Sequence, residues 1–404
     1  MYTLLSGLNI IEASSFVASP TAGLYLAQMG AQVIRVDQIG GGPDYNRWPK
    51  TIEGRSLYWE NLNRAKKSVA LDLSHPEGRE LLQELARKTG QFLTNFPVNG
   101  FLSHEALAAN HPGLITVRIM GMADGGPALD YTVNSAVGYP DLTGSGSGPV
   151  NHVLPAWDLL TGAYAAFAMM AALHHRNATG LGQEVRIPLS DVAIGTASNL
   201  GSLAEMRYTG ANRERLGNAV YGAFGRDFVT RDGVRMMLMA ITPRQWTGLV
   251  KVLNIACDIA AIEAAHNVSF DRDEGVRFQH RAALFPLVEA KVAAWQYADL
   301  KVALDAVGGC YGPYQTMYEA ANDPVLVGGN PMFGHADNPS GFEYPAAGSF
   351  ATLPSFNRDS PASAPFLGAE TEVVLADVMG LSSGQIGALL AKNIIAIHNK
   401  DVPT

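Results

Sequence analysis

Residues 151–186 read NHVLPAWDLLTGAYAAFAMMAALHHRNATGLGQEVR and contain a long apolar run. From 159 to 173 nearly every residue is apolar or small, so no polar stripe with a 3.6-residue period can be drawn. The pattern predicts a helix that is buried on all sides. The run is shorter than the roughly 20 residues that span a bilayer, and Thr161 and Gly162 interrupt it. A membrane helix is therefore the weaker interpretation.

Asp158 lies at the predicted start of this helix. As an N-cap, its carboxylate would accept hydrogen bonds from the orphan amides of the first turn. As a nucleophile, it would be kept ionised by the positive end of the helix dipole, even in apolar surroundings. The residues alone leave both interpretations open.

Composition limits the classes of function. The 404 residues are 47% hydrophobic and 16% charged, enough for one large core or two. A net charge of -8 without a Lys/Arg block argues against nucleic acid or an anionic membrane as partner and favours small molecules. Cys257 and Cys310 give neither a disulfide framework nor metal-ligand spacing. The N-terminus lacks the features of a signal peptide, so we expect a cytoplasmic protein.

The N-terminal region alternates strand and helix patterns. LNIIEAS and AQVIRVD predict strands on either side of a helix in SPTAGLYLAQMG, and residues 61–99 add a strand, a helix over 76–88 and a further strand. A dinucleotide site would need a glycine fingerprint after the first strand, where this chain has ASSFVASP. The sequence therefore predicts an α/β, Rossmann-like domain without the usual dinucleotide.

The composition shifts after Arg215. A glycine-rich loop, a hairpin turn at Asp232 and Gly233 and a helix from Pro243 predict a smaller α+β domain. We expect a large domain over 1–215, completed by 326–404, and a small domain with a return linker over 216–325. The glycine-rich loop is interpreted equally well as a mobile cover or as a plain linker.

Several motifs, in order along nearly the whole chain, resemble those of the family III (CaiB/BaiF-type) CoA-transferases. They are P-x-x-D at 155–158 before the small, apolar helix, N-x-x-K-K-S at 63–68, P-E-G-R at 76–79, N-F at 95–96 and G-P with E-A-x-x-D-P over 312–324. The resemblance implies an interlocked homodimer. It also implies that Asp158 attacks an acyl-CoA thioester, with CoA as part of the substrate and no tightly bound cofactor or metal.

The resemblance also implies the residues that contact the substrate. For the CoA portion they are Ser15, Phe16, Val17, Arg35, Leu71, Asn95 and Phe96. For the acid they are Arg47, Asp130, Gly217, Asn218 and Arg226. The basic residue that the family often has shortly after N-F is missing, so Arg35, Arg47, Arg64 and Lys66 are the cations left for the diphosphate. For each of them a surface role is the alternative.

The stretches 130–158 and 217–228 most resemble family members that move CoA within one molecule. This implies transfer between the C1 and C4 carboxyls of mesaconyl-CoA, through an aspartyl anhydride and an aspartyl-CoA thioester. An intermolecular CoA-transferase would use the same Asp158. A racemase of α-methylacyl-CoA is disfavoured, because the resemblance to those related enzymes implies a histidine as second base just before Asp130, and this chain has Leu129 there. A non-catalytic CoA-binding protein would not need Asp158.

Overall fold

The computed structural model describes residues 1–398, which form two compact units. The larger unit comprises Met1–Val137, His152–Thr209 and the described residues from Val327 onward, and the smaller unit comprises Gly138–Asn151 and Gly210–Leu326. This division differs from the predicted one because 138–151 groups with the smaller unit. Residues 399–404, included in the predicted large domain, lie outside the described residues.

Within residues 1–398 the main sheet of the larger unit has seven strands in the order β12-β3-β2-β1-β4-β5-β6. Numbered along the chain, they are β1 (Asn9–Ala13), β2 (Gln32–Gln38), β3 (Lys67–Leu71), β4 (Gln91–Thr94), β5 (Ile115–Met120), β6 (Glu184–Pro188) and β12 (Ile395–Ala396). The first six pair in parallel, and β12 is an antiparallel edge. Order 3-2-1-4-5-6 is that of the Rossmann fold, so the predicted fold class is confirmed.

Helices cover both faces of this sheet. They are α1 (Ala18–Gln28), α2 (Leu57–Leu62), α3 (Pro76–Thr89), α4 (His104–Ala108), α5 (Asp130–Ala136), α7 (Ala156–Thr179), α8 (Leu189–Asn199), α9 (Ser202–Thr209), α16 (Thr371–Asp377) and α17 (Ser383–Ala391). Alternate strand residues serve two cores: Ile11 faces α3 and α16, whereas Ile10 faces α1 and α7. The small pair β10 (Phe333–Gly334) and β11 (Ala346–Ala347) completes the unit.

Helix α7 begins and ends beyond the predicted apolar run, and only one of its faces is buried. Gly162 lets it approach α1 closely, because a Cβ there would lie 2.6 Å from the carbonyl oxygen of Ala18. The opposite face exposes Leu160, Tyr164, Phe167 and Met170 by 36% to 64%. The expectation of a helix buried on all sides is therefore wrong for the single chain. By length and composition alone α7 could cross a membrane, a test that core helices also pass.

Over the described residues 138–151 and 210–326, the smaller unit has a three-stranded antiparallel sheet with helices. The elements are α6 (Tyr139–Leu142), β7 (Phe224–Val229), β8 (Arg235–Ala240), α10 (Pro243–Leu253), α11 (Ala256–His266), α12 (Glu274–Gln279), α13 (Arg281–Val292), α14 (Tyr297–Val307), β9 (Cys310–Pro313), α15 (Met317–Ala321) and a π-helical turn (Pro324–Gly328). The hairpin between β7 and β8 turns at Asp232 and Gly233, and α10 begins at Pro243, as the sequence predicts. Phe224, Trp246 and Phe270 lie at the centre of its core.

Candidate active site

The strand order places a crevice between β1 and β4. From β1 the chain continues to β2 on one side, and from β4 it continues to β5 on the other, so the carboxyl ends of these neighbours form a topological switch point. Ser15 follows β1 and Asn95 follows β4. The Ser15 amide donates to Asn95 Oδ1 at 3.2 Å, and Asn95 Nδ2 donates to the Ser15 carbonyl at 2.9 Å. Two loops predicted separately from the sequence are therefore joined at one place.

A cavity of about 1050 Å³ opens at this point, at the upper end of the range for small-molecule sites. The end of β5 and the loops that follow β1, β4 and β5 supply most of its wall, and the first residues of α1 and α8, Thr132 of α5, Asp158 of α7 and Arg186 of β6 supply the rest. Among the predicted residues, Ser15, Phe16, Val17, Asn95, Phe96 and Asp158 line the cavity. The fold therefore brings the predicted nucleophile and five of the predicted CoA contacts to one cavity.

Asp158 is the third residue of α7 and does not cap it. The N-cap residue is Pro155, and no side-chain hydrogen bond is made from that position. Within residues 1–398 the carboxylate of Asp158 receives no hydrogen bond from the protein. The N-cap interpretation of this residue is therefore wrong, and its oxygens remain available to a ligand in the cavity.

Asp130 caps α7 in its place. Its Oδ2 accepts hydrogen bonds from the amides of Trp157 at 2.7 Å and Asp158 at 3.1 Å, and its Oδ1 lies 2.9 Å from His152 Nε2. Only 2% of Asp130 is exposed, and it does not line the cavity. Asp130 is therefore a structural residue that caps the helix carrying the nucleophile, and it is not the predicted contact with the acid.

The sequence suggested that the start of the helix would favour the ionised form of Asp158, but the structure raises the pKa of this carboxyl instead. Burial and, to a smaller extent, the charge of Asp130 raise the pKa of Asp158, Arg47 lowers it, and the net result is a pKa of about 6. The helix amides that would have favoured the ionised form already bind Asp130. At neutral pH the carboxylate of Asp158 is still largely ionised, but it is more basic than a solvated aspartate.

Of the predicted acid contacts, Arg47 is the one whose charge lowers the pKa of Asp158, although it is not among the residues that line the cavity. Its guanidinium carbon lies 5.3 Å from the ring centres of both Phe16 and Tyr58. Within the described residues, no carboxylate lies within ion-pairing distance of Arg47. The buried hydroxyl of Tyr58 has no hydrogen-bond partner in the same part of the chain, and burial raises the pKa of Tyr58 to about 12.

Arg35 and Leu71 do not reach the cavity, contrary to prediction. Both are fully buried. The five N–H donors of Arg35 face Glu12, Asp37, Asp44 and Asn63 at 2.8–3.3 Å. Leu71 belongs to the hydrophobic core that α3 covers. Arg35 thus has no donor left for a diphosphate, because charged partners from separate strands surround it.

The other candidate cations for the diphosphate are also internal. Lys66 Nζ donates to Glu12 Oε1 at 3.1 Å, to the Pro20 carbonyl and to Asn63 Oδ1, and none of its side chain is exposed. Arg64 is 6% exposed and donates to the Asn61 carbonyl. Only Arg47 of the four lies exposed.

Gly217, Asn218 and Arg226 belong to the smaller unit. Gly217 and Asn218 are exposed, and the Gly217 amide donates to the Gly144 carbonyl at 3.2 Å. Arg226 forms an ion pair with Glu289 at 2.9 Å and packs against two phenylalanine rings. Since its charge is already matched, Arg226 is a weaker candidate for the acid than Arg47.

Sequence reasoning missed Arg186, Asp44 and His152. Arg186 lines the cavity and pairs with Glu184 at 2.6 Å, while Asp44 hydrogen-bonds the Phe16 amide at 2.9 Å. Arg186 lies in β6, whose carboxyl end belongs to the same edge of the sheet as the predicted loops. This position in a strand could have indicated from the sequence that Arg186 belongs to the site. Across residues 1–398 no group of three or more His, Cys, Asp or Glu side chains is placed to hold a metal ion.

Comparison with known proteins is consistent with this geometry. Residues 5–371 match the model of CoA-transferase family III. The chain is 42% identical to 2-methylfumaryl-CoA isomerase of Chloroflexus aurantiacus, over 98% of both chains. It is 28% identical to succinyl-CoA–D-citramalate CoA-transferase of the same organism, over 97% of this chain and 98% of that one. A CaiB/BaiF family protein from Brucella suis superposes with a TM-score of 0.76 at 25% identity, covering 94% of this chain and all of that one.

Proposed function

The chain belongs to CoA-transferase family III, and from that premise we propose that it moves CoA between the C1 and C4 carboxyls of mesaconyl-CoA (2-methylfumaryl-CoA). The observation that carries the proposal is the carboxylate of Asp158, which lines the cavity without a protein hydrogen bond within residues 1–398. The 42% identity to a 2-methylfumaryl-CoA isomerase over nearly the whole chain supports the choice of acid.

The proposed reaction begins when an oxygen of Asp158 attacks the C1 carbonyl carbon. The C–S bond breaks, CoA leaves as the thiolate, and a mixed anhydride remains. The thiolate then attacks the acyl carbon of Asp158, which releases the C1 carboxylate and leaves an aspartyl-CoA thioester. The acid reorients, and its C4 carboxylate passes through the same two steps in reverse. These steps balance without a net proton transfer.

The oxygen that becomes negative in each step needs hydrogen-bond donors. The first turn of α1 follows the cavity residues Phe16 and Val17 directly, and Ala18 itself lines the cavity. No side chain caps this helix, so its first amides are not engaged in that way. We propose that the positive end of α1 stabilises the developing oxyanion.

The carboxylate that is not reacting needs a cation. Arg47 is exposed, and its charge lowers the pKa of Asp158, which supports an electrostatic effect of this guanidinium on a group bound at the nucleophile. Within residues 1–398 no carboxylate pairs with it. We propose that Arg47 binds the distal carboxylate while Asp158 attacks the other end.

An intermolecular CoA-transferase is the second candidate, favoured by the likeness to succinyl-CoA–D-citramalate CoA-transferase. The two are separated by supplying unlabelled mesaconyl-C1-CoA with an excess of isotopically labelled mesaconate. Intramolecular transfer predicts C4-CoA product almost free of label. Label in the product at the rate of isomerisation would favour the intermolecular enzyme.

We also propose that two copies of the chain assemble as the interlocked homodimer of the family. The exposed apolar face of α7 supports this, because Leu160, Tyr164, Phe167 and Met170 recur at helical spacing and point away from the sheet that the other face covers. A second copy would remove this stripe from water. The cytoplasmic location expected from the sequence stays a prediction.

A further inference from the structure

Phe16 has an unusual backbone conformation for its residue type. Its φ is 71°, in the left-handed region that bulky residues seldom occupy. It is also a wall residue of the cavity that contains Asp158. Such a conformation persists only when surrounding contacts hold it.

Asp44 holds the Phe16 backbone. Its Oδ2 accepts the hydrogen bond of the Phe16 amide at 2.9 Å, and 1% of Asp44 is exposed. The same carboxylate is fixed by Arg35, whose Nη2 lies 3.3 Å from Oδ1 and 3.2 Å from Oδ2. A buried, charge-assisted bond of this kind is stronger than one between neutral groups.

Arg35 is immobilised in turn. It pairs with Asp37 at 2.8 Å and with Glu12 at 3.3 Å, and Glu12 also pairs with Lys66 at 2.8 Å. All of these side chains are at most 2% exposed. Gly23 leaves the space for this cluster, because a Cβ there would lie 1.9 Å from Glu12 Oε2. Asp44 is thus anchored through Arg35 to β1 and β2, and through Glu12 to Lys66, the residue before β3.

Phe16 in turn connects Asp44 to Arg47. The Phe16 ring lies 5.3 Å from the guanidinium carbon of Arg47, and this charge acts on Asp158. Arg47 belongs to no helix or strand, and it is exposed. Its amide donates to the Asp44 carbonyl at 3.1 Å, and its guanidinium contacts the rings of Phe16 and Tyr58, so these contacts hold the residue in position.

We propose that Asp44 is a positioning residue, which holds Phe16 in its left-handed conformation and so places the Arg47 guanidinium beside Asp158. This inference rests on the proposed function, in which Arg47 binds the distal carboxylate. The buried cluster around Arg35 would then contribute to the reaction indirectly, although none of its residues lines the cavity.

The test is a double-mutant cycle between Asp44→Ala and Phe16→Gly, with Asp377→Ala, an exposed aspartate at the end of α16, as control. Asp44→Ala is expected to lower kcat by about 10²-fold, the cost of an ångström-scale misplacement, while KM changes little. In a Phe16→Gly background the same change is expected to lower kcat by less than about 3-fold, because glycine adopts this φ unaided and the ring is already absent. Equal losses in both backgrounds would overturn the inference, since they would mean a general structural role.

Asp44→Asn keeps an acceptor for the Phe16 amide and guards against a variant that fails to fold. It is expected to retain kcat within about 10-fold of the wild type, because the neutral bond is weaker but present. A loss as large as that of Asp44→Ala would count against the inference.

Hydrogen exchange gives a readout that does not depend on the substrate. The amide of Phe16 is expected to exchange faster in Asp44→Ala, and close to the wild-type rate in Asp44→Asn and Asp377→Ala. Unchanged exchange in Asp44→Ala would overturn the inference even in an active enzyme. A wild-type protein without isomerase activity would instead overturn the proposed function, so the two failures are distinguishable.

Discussion

At Asp158 the requirements of the reaction and of the fold oppose each other. The attacking group must be a carboxylate, yet burial and the charge of Asp130 both favour its protonated form. The basicity that results makes the ionised group a better nucleophile. It also makes activity and stability depend on pH in a way that can be measured.

The pH dependence of kcat/KM follows from the raised pKa. Below about pH 6 Asp158 is protonated, so the rate is expected to fall about tenfold for each pH unit. Arg47→Gln should move this limb to higher pH, because Arg47 lowers the pKa of Asp158. Arg79→Gln, on the exposed surface of α3, should leave it in place. A wild-type rate that begins to fall only near pH 4, or a shift of this fall to lower pH in Arg47→Gln, would contradict this account.

Stability should respond in the opposite sense. A carboxyl whose pKa is raised on folding binds more protons in the native state, so stability decreases as pH rises from about 4 to 6 and stays lower above that. Asp158→Asn should therefore raise the melting temperature at pH 8, by the equivalent of about 1–3 kcal/mol, and have much less effect at pH 4.5. Thermal melts of this variant and of Asp191→Asn, an exposed control, would show it. Equal shifts at the two pH values would argue that the charge is not the cause.

Single residues were predictable where a motif and a strand end coincide. Ser15, Phe16 and Asn95 follow this rule, whereas Asp158 was predictable from its motif at the start of α7, and all four line the cavity. Arg35 was not predictable in this way, because its burial depends on carboxylates from its own strand, from β1 and from the loop after β2. A sequence gives the type of a charged residue but not the partners that neutralise it.

At the level of elements, the start of α7 depends on α5. Asp130, the first residue of α5, caps α7 across 28 positions of sequence. Capping motifs are recognised in sequence by short spacings, so no local pattern could have shown this one. Helix α7 itself was predictable from its apolar run, but its exposed face was not. The sequence of an apolar helix does not show whether a given apolar residue lies in the core or in a surface stripe.

Removing the cap should loosen the helix that carries the nucleophile. Asp130→Ala leaves the amides of Trp157 and Asp158 without their acceptor, so we expect a loss of about 1–3 kcal/mol in the free energy of unfolding. Hydrogen exchange should increase in the first turn of α7 before it does so in the middle of that helix. The control is Asp191→Ala, which removes an exposed acidic residue from the first turn of α8. Protection of α7 that is equal in both variants would mean that Asp130 does not hold this end.

For the whole molecule, the alternation of strands and helices was enough to predict the Rossmann-like sheet. The separation of 138–151 from the larger unit was not predicted, although the run TGSGSG at 143–148 is a glycine- and serine-rich composition shift. Nor does the described chain contain the partner that the apolar face of α7 requires.

The assembly can be tested on that face. A homodimer predicts twice the chain mass in light scattering, at concentrations where a large interface does not dissociate. Replacing Phe167, which is 64% exposed, with Asp should shift the mass toward that of a single chain and reduce activity, whereas Val302→Asp, at an exposed position of α14, should do neither. A wild-type monomer at working concentration would rule out the dimer.

The measurement that bears most directly on the central claim is the capture of the acyl group on Asp158. Protein turning over mesaconyl-C1-CoA is quenched with hydroxylamine, digested and analysed by mass spectrometry, since an anhydride or thioester of aspartate becomes a stable hydroxamate. We predict a hydroxamate at Asp158 that requires substrate and disappears when Asp158 is replaced with Ala, together with turnover. Isomerisation that proceeds while the peptide containing Asp158 stays unmodified, or a hydroxamate at another carboxylate, would contradict the account.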